Sequence, residues 1–193
     1  MVKLDKIYTR GGDQGQTSLG NGERVPKSSL RIAALGEVDE ANAAIGMARL
    51  NCAGPEDELL ARLQNDLFDL GADLCMPIEE GKPALRINQA QIDWLEGQID
   101  AATSELTPLN SFILPAGVPG AATLHLARAV VRRAERAVVH LTEAPDQKVN
   151  RLVLIYLNRL SDLLFVLARL ANAGGQLDVL WVPQGQADQG RNG

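Results

Sequence analysis

The sequence predicts an all-α fold: a five-helix bundle entered through an N-terminal glycine-rich loop. Apolar residues recur at helical spacing along five long segments, most plainly at Leu63, Leu67, Leu70 and Leu74, where steps of four and three make a bundle seam. Prolines, some beside glycine, mark the breaks between the segments. The period-two alternation of a half-buried strand is nearly absent, which leaves helix on helix as the architecture.

The elements follow in order. Residues 1–28 read as the loop, 29–172 as the bundle and 173–193 as a C-terminal tail, all within one domain spanning 1–193. The first helix runs from about Ser29 to Leu50 and stops near Gly54-Pro55. The second covers about Glu56 to Met76 and is closed by Pro77, with Gly81-Lys82-Pro83 in the following loop. The third opens at Asn88, whose capping box is completed by Gln91, and its stripe is Ile92, Leu95, Ile99, Ala102 and Leu106. Thr107-Pro108-Leu109-Asn110 breaks the pattern, and Ser111 to Gly117 is a short apolar, non-helical stretch. The fourth helix spans about Gly120 to Leu141, and Pro145 separates it from the fifth, about Gln147 to Asn172. Leu177 to Pro183 could extend or staple the C-terminus, and Gly185 to Gly193 has the composition of a disordered end.

Composition narrows the class. Over 193 residues the chain is 46% hydrophobic and 22% charged, ordinary for a globular protein, and its net charge of −5 argues against general nucleic-acid binding. Met1 to Asp5 lacks an apolar signal core and no run of about 18 apolar residues occurs, so the expected setting is cytoplasmic, with no membrane. Cys52 and Cys75 sit in helical patterns as isolated small apolar residues, which predicts reduced, structural cysteines. With only those thiols and the distant His125 and His140, no zinc cluster is expected and no residue is assigned as a metal ligand.

The loop from Thr9 to Lys27 is the first place where chemistry could sit. Gly11, Gly12 and Gly15 let the backbone approach a ligand and turn successive N–H groups toward one anion. Thr9, Thr17 and Ser18 add hydroxyl donors, and Arg10 and Lys27 add positive charge. That combination can hold a polyphosphate, and it can equally be a polar leader. It is not a Walker A loop, because no G-x-x-x-x-G-K-[ST] occurs.

The fourth helix carries the second constellation. At ~100° per residue, Arg128, Arg132, Glu135 and Arg136 share an arc roughly 100° wide, opposite Ala127, Val131, Ala134, Val138 and Leu141, with Arg133 apart from both groups. By itself the polar arc reads as a solvated face with Arg–Glu pairs, each contributing a few tenths of a kcal/mol. It also reads as a guanidinium clamp for phosphates, steadied by Glu135. On the fifth helix, Val153, Leu157, Leu160, Leu164 and Leu167 form the core stripe, Asn158 and Asp162 lie on the reverse face, and Tyr156 and Arg159 flank it. On the first helix, Asp39, Asn42 and Gly46 form a small polar stripe, with Asp39 free to pair with an arginine. A homo-oligomer that brings the loop of one subunit to the arginine face of another would join these surfaces.

Other chemistries are set aside. Neither histidine sits in a nucleophile motif, although His125 lies one turn before Arg128 and could line the same site. Asp39 and Glu40, and Glu79 and Glu80, are adjacent in sequence and so diverge on a helix. The residues favour positioning and charge stabilisation over proton transfer.

Four ordered motifs then carry a resemblance. T-R-G-G-D-Q-G-Q-T-S fits the pattern T-[RK]-x-G-D-x-G-x-[TS] with Lys27 at the matching distance; L-G-E-V-D-E-A-N, R-A-V-V-R-R-A-E-R and L-N-R-L-S-D-L-L-F follow. The chain resembles the PduO-type ATP:cob(I)alamin (corrinoid) adenosyltransferases over nearly its whole length. The resemblance implies a homotrimeric five-helix bundle with intersubunit active sites, which transfers the 5′-deoxyadenosyl group of ATP to cobalt(I) of a corrinoid and releases triphosphate, with Mg2+. By matching position, Thr9, Arg10, Gly11, Gly12, Thr17, Ser18 and Lys27 would bind the triphosphate of ATP, completed by Arg132, Glu135, Arg136 and Asn158 of a neighbour. Asp39 and Arg128 match an intersubunit ion pair near the corrin, and Phe112 matches the aromatic that displaces the corrinoid's lower nitrogen ligand. A reductase and an adenosylcobalamin-dependent client enzyme are the implied partners. In F-I-L-P-A-G, Ala116 stands where glycine is common, a change on the corrin side, and residues after Leu177 receive no role. Two rival readings remain beside it, a non-catalytic carrier of ATP and corrinoid, and an ATP-binding regulatory bundle. Phe112 and the Asp39–Arg128 pair would be superfluous in the second.

Overall fold

The computed structural model describes residues 7–184. In chain order these form β1 (Gln16–Ser18), β2 (Arg24–Pro26), α1 (Leu30–Arg49), α2 (Pro55–Cys75), α3 (Gln89–Ser104), α4 (Pro119–Glu143) and α5 (Arg151–Ala171). α1 packs on both α2 and α4, α4 on α5, and α3 on α5. The expected seams supply that packing: Leu63, Leu67, Leu70 and Leu74 of α2 are buried, as are Ala127, Val131, Ala134, Val138 and Leu141 of α4. The α5 stripe, Val153 to Leu167, closes the same core.

Local chemistry sets the helix ends. Proline opens α2 and α4, where a missing N–H costs nothing. Asn88 caps α3 in a reciprocal box with Gln91. Asn150 caps α5 by accepting from Leu152 N, while its amide donates to Asp73 Oδ2 at 2.7 Å and to the Ile87 carbonyl at 2.9 Å.

Three polar groups are built into the interior. Asp73 is saturated by Asn150, the Ile87 N–H and Arg86, so its burial leaves no lone charge. Arg31 holds the Leu74 carbonyl at 2.7 Å and reaches Gln147 and the Lys148 carbonyl, locking α1 to the α4–α5 connection. Burial, and then the nearby Arg86 charge, lower its pKa. Tyr156, expected to flank the polar reverse face of α5, is fully buried and donates to Asp66 Oδ2 at 3.1 Å. Its phenol is held protonated by burial and by the Asp66 carboxylate.

The structure departs from the sequence reading elsewhere. The glycine-rich loop contains an antiparallel hairpin, with Thr17 opposite Val25, that no strand signal announced. Three residues per strand are too few to display alternation. Of the α1 polar stripe only Asp39 stays exposed: Asn42 is buried, exchanging hydrogen bonds with Gln64, whose amide also covers Gly46. Cys52 lies in the α1–α2 connection rather than in a helix, and both thiols are free. The tail from Leu177 is a staple: Ile113 and Leu180 form an antiparallel bridge. The expectations for Met1 to Asp5 and for Gly185 to Gly193 lie outside the described residues. No helix among the described residues is long and apolar enough to cross a membrane.

Candidate functional site

The loop is folded around its own cation. Lys27 N donates to the Gly15 carbonyl at 2.8 Å, which turns the lysine side chain back over Gly12. A Cβ placed on Gly12 would lie 3.0 Å from Lys27 Nζ, so only the bare backbone lets the ammonium settle there. Turns from Gly12 O to Gly15 N and from Arg10 O to Asp13 N curl the intervening backbone. Arg10 is held at φ 60, a left-handed geometry that an arginine adopts at a cost, and its guanidinium lies 5.8 Å from the centroid of the Tyr8 ring. Arg24 pins the hairpin from below, donating to the Gly11 carbonyl at 2.7 Å and to Ser18 Oγ at 3.1 Å. The hairpin is moored to the body by Gly20 N, which donates to the Cys75 carbonyl at the end of α2. Thr9, Arg10, Gly11, Ser18 and Lys27 are exposed, and Gly12 and Thr17 half-buried. The result is a solvent-facing, glycine-rich turn segment carrying cations, a composition suited to an anion.

On α4 the polar arc is present as expected. Arg132 and Arg136 are exposed, joined by Arg136 Nη1 donating to the Arg132 carbonyl at 2.9 Å. Glu135 is half-buried and accepts from Asn158 Nδ2 at 3.0 Å, while Asn158 Oδ1 accepts from Arg159 at 2.9 Å. That chain fixes Glu135 and Asn158 beside the two arginines and leaves the Arg132 guanidinium and the remaining Arg136 donors to solvent. Arg133, the outlier of the arc, is a structural residue: it bridges Glu37 and Glu40 of α1.

Arg128 belongs to a different basin. With Phe112, His125, Phe165 and Trp181 it lines a cavity of about 790 Å3, a size that suits a large organic ligand. Phe112 is 78% exposed and meets Trp181 edge-to-face, ring centroids 6.1 Å apart. His125 is buried beneath this wall beside Phe165, and neither imidazole nitrogen has a partner. Burial first, then Arg128, push its pKa below the ordinary value, which keeps it neutral. Arg128 itself is half-buried, its Nε is unpartnered, and burial and Arg132 lower its pKa. A cation in this condition is short of an anion.

Within one chain the expected residues form separate groups. The structure brings Lys27 to Gly12, Glu135 to Asn158, and Arg128 to the wall carrying Phe112. Asp39 instead lines a different depression, between α1 and α2, with Phe68 and Cys75. Among the described residues no hydrogen bond or ion pair joins Asp39 to Arg128, or Thr9–Lys27 to Arg132, Glu135 or Arg136. Three contributors escaped the sequence reading: Arg24, Phe165 and Trp181. Trp181 left a signal, since the apolar run Val179 to Val182 is out of place in a free tail. Phe165 closes the motif L-N-R-L-S-D-L-L-F without having been given a role, and Arg24 left no signal beyond its residue type.

Comparison with known proteins gives one answer. Residues 7–171 match the profile of the cobalamin adenosyltransferase family. The chain is 51% identical over 189 residues to the corrinoid adenosyltransferase of Mycobacterium tuberculosis strain H37Rv, covering 95% of this chain and 96% of the relative. It is 51% identical over 184 residues to the cobalamin adenosyltransferase of Cupriavidus metallidurans, covering 93% and 95%. Its fold superposes with a TM-score of 0.84, at 38% identity, on a variant PduO-type ATP:corrinoid adenosyltransferase from Lactobacillus reuteri complexed with cobalamin and ATP, covering 92% of this chain and all (100%) of that one.

Proposed function

The chain belongs to the cobalamin adenosyltransferase family and is an ATP:corrinoid adenosyltransferase; on that premise we propose how its residues divide the reaction. One observation carries the proposal: the cation-carrying loop and the α4 arginine face are both open to solvent and unjoined within a chain. In a homotrimer, each active site takes the loop of one subunit and the arginine face of its neighbour. Thr9, Arg10, Gly11, Gly12, Thr17, Ser18 and Lys27 bind the triphosphate, and Arg132, Glu135, Arg136 and Asn158 close over ATP. The same docking lets Asp39 supply the anion that Arg128 lacks, which places the corrinoid in the Phe112 basin.

Cobalt(I) is the nucleophile, so no protein base is needed. Its electron pair attacks the 5′-carbon of ATP; the cobalt–carbon bond forms as the carbon–oxygen bond to triphosphate breaks. Both electrons of that broken bond leave with triphosphate, and cobalt becomes formally cobalt(III). Arg132 and Lys27 stabilise the charge growing on the departing oxygens, and alignment of cobalt with the 5′-carbon supplies the rest. Magnesium usually rides on substrate phosphates with few protein ligands, so it is placed on the triphosphate itself, where it would neutralise charge. Lys27 and Arg132, which offer donors only, would bind the triphosphate oxygens and not the metal. The exposed apolar Phe112 excludes the corrinoid's lower nitrogen ligand, leaving cobalt(II) four-coordinate and easier for a reductase to bring to cobalt(I) by one electron.

The chain acts as one domain, in the cytoplasm, where free thiols such as Cys52 and Cys75 persist. Its product would pass to an adenosylcobalamin-dependent client. The test is an anaerobic assay with ATP, magnesium and chemically reduced cob(I)alamin, following the corrinoid spectrum and released triphosphate. Arg132→Ala is expected to lose about 2–4 kcal/mol of transition-state stabilisation, roughly 30- to 1000-fold in kcat. Unchanged kcat in that variant overturns the assignment of Arg132.

A further inference from the structure

Phe112 is an exposed ring, so the bundle core cannot fix its position. What holds it is the backbone that carries it, and that backbone is tied down by a buried network centred on Asp178. The Asp178 carboxylate is 2% exposed and pairs with Arg169 Nε of α5, 7% exposed, at 2.8 Å. Arg169 Nη2 also donates to the Thr107 carbonyl at 3.0 Å, where the segment leading to Phe112 begins. The second carboxylate oxygen accepts from Asn172 Nδ2 at 3.1 Å. Asn172 in turn donates to the Ala116 carbonyl at 3.2 Å and accepts from Val118 N at 3.1 Å, where that segment ends. Gly117, at φ 113, is the one residue type that fits there, because a Cβ would overlap the Asn172 amide.

One carboxylate therefore links both ends of residues 107–118 to the tail. The tail then closes on the middle of the same segment. Leu114 N donates to the Val179 carbonyl at 2.7 Å, and Trp181 N to the Phe112 carbonyl at 2.8 Å. The Trp181 ring meets Phe112 edge-to-face. Asp178 sits one residue before Val179, so its anchoring sets the register in which the tail meets Phe112.

We propose that Asp178 is a positioning residue for the corrinoid half of the reaction. Through Arg169 and Asn172 it registers the tail against Phe112 and so fixes where the ring stands beneath the corrin. The proposal rests on Phe112 displacing the lower ligand, as given above. A helix-end tie serving stability alone would lower the melting temperature and leave the cobalt signature untouched. Positioning makes a further demand: loss of Asp178 must act only while Phe112 is present.

The experiment uses the full chain with ATP, magnesium and cob(II)alamin, and compares wild type, Asp178→Asn, Phe112→Ala and the double variant. Electron paramagnetic resonance reads the four-coordinate cobalt(II) fraction, and steady-state kinetics read KM for ATP and for corrinoid. Asp178→Asn is expected to cut the four-coordinate fraction at least fivefold, with KM for ATP within twofold of wild type. In the Phe112→Ala background it is expected to add nothing. An undiminished four-coordinate fraction in Asp178→Asn, or a further loss in the Phe112→Ala background, overturns the proposal. If Phe112→Ala itself keeps the four-coordinate signal, the underlying reading of Phe112 falls and the proposal with it. Should Asp178→Asn fail to fold, Trp181→Pro, at a position 47% exposed, removes the N–H that holds the Phe112 carbonyl. It is expected to give the same spectral loss, and an intact signal there overturns the proposal equally.

Discussion

Replacing Gly12 by alanine tests whether the loop works by seating the Lys27 ammonium. The new methyl would lie 3.0 Å from Lys27 Nζ, 3.2 Å from Cε and 3.4 Å from the Gln16 carbonyl oxygen. Ordinary contact for such atoms is about 3.5–4 Å, so the ammonium must withdraw by roughly half an ångström. Gly12 is not among the positive-φ glycines, so its backbone accepts alanine. The atom displaced is the free end of a flexible chain, so the cost to folding should stay within about 0.5 kcal/mol. The cost to the site is larger. A charge-assisted hydrogen bond contributes about 1.5–3 kcal/mol, and losing half or more of one predicts about 1–2 kcal/mol, roughly 5- to 30-fold in kcat/KM for ATP. Lys27→Ala, which removes the contact outright, is expected to lose roughly 10- to 150-fold. Because both changes act through one ammonium, the double variant should be no worse than Lys27→Ala. The assay is anaerobic turnover at saturating cob(I)alamin with ATP varied, beside thermal denaturation. A silent Gly12→Ala, or effects that multiply in the double variant, would refute the reasoning.

Two further outcomes are expected. If each site takes Lys27 from one subunit and Arg132 from the next, then co-assembled Lys27→Ala and Arg132→Ala chains should recover activity that neither has alone, because some mixed interfaces carry both wild-type residues; no recovery from a verified mixed oligomer would argue for sites within one chain. His125 predicts a pH dependence of stability. Burial and Arg128 hold its pKa below 6.5, with Asp178 opposing. As pH falls below about 6.5 the unfolded chain takes up this proton before the folded one, so stability is lost until the folded group's own lower pKa is passed. Wild type should therefore lose more stability than His125→Phe between about pH 7 and pH 5 in urea titrations; parallel curves would remove His125 from the account.

Much of this molecule was legible in its residues. Helical periodicity placed all five helices, because a seam such as Leu63, Leu67, Leu70 and Leu74 can be buried in only one way. The Asn88–Gln91 box and the partition of α4 into a buried alanine–valine stripe and a charged arc were equally local, and were visible as such. Four ordered motifs were enough to indicate the family.

Contacts between residues distant in the chain were not legible. Tyr156 meets Asp66 90 positions away, and Arg31 meets Gln147 116 positions away. No helical period distinguishes such a buried polar residue from a flanking one. The hairpin hid in three-residue strands, whose pairing is backbone chemistry that side chains do not announce. The tail is the clearest case. Arg169, Asn172 and Asp178 each look like ordinary surface residues near a helix end. Only the folded chain brings residues 107–118 against them, and burial then turns one ion pair into a clamp on Phe112. Sequence by itself determined the five helices and which family they serve, since those follow from short-range periodicity and ordered motifs. Tertiary structure alone decided which side chains share a low-dielectric interior, because that depends on contacts closed over long stretches of chain.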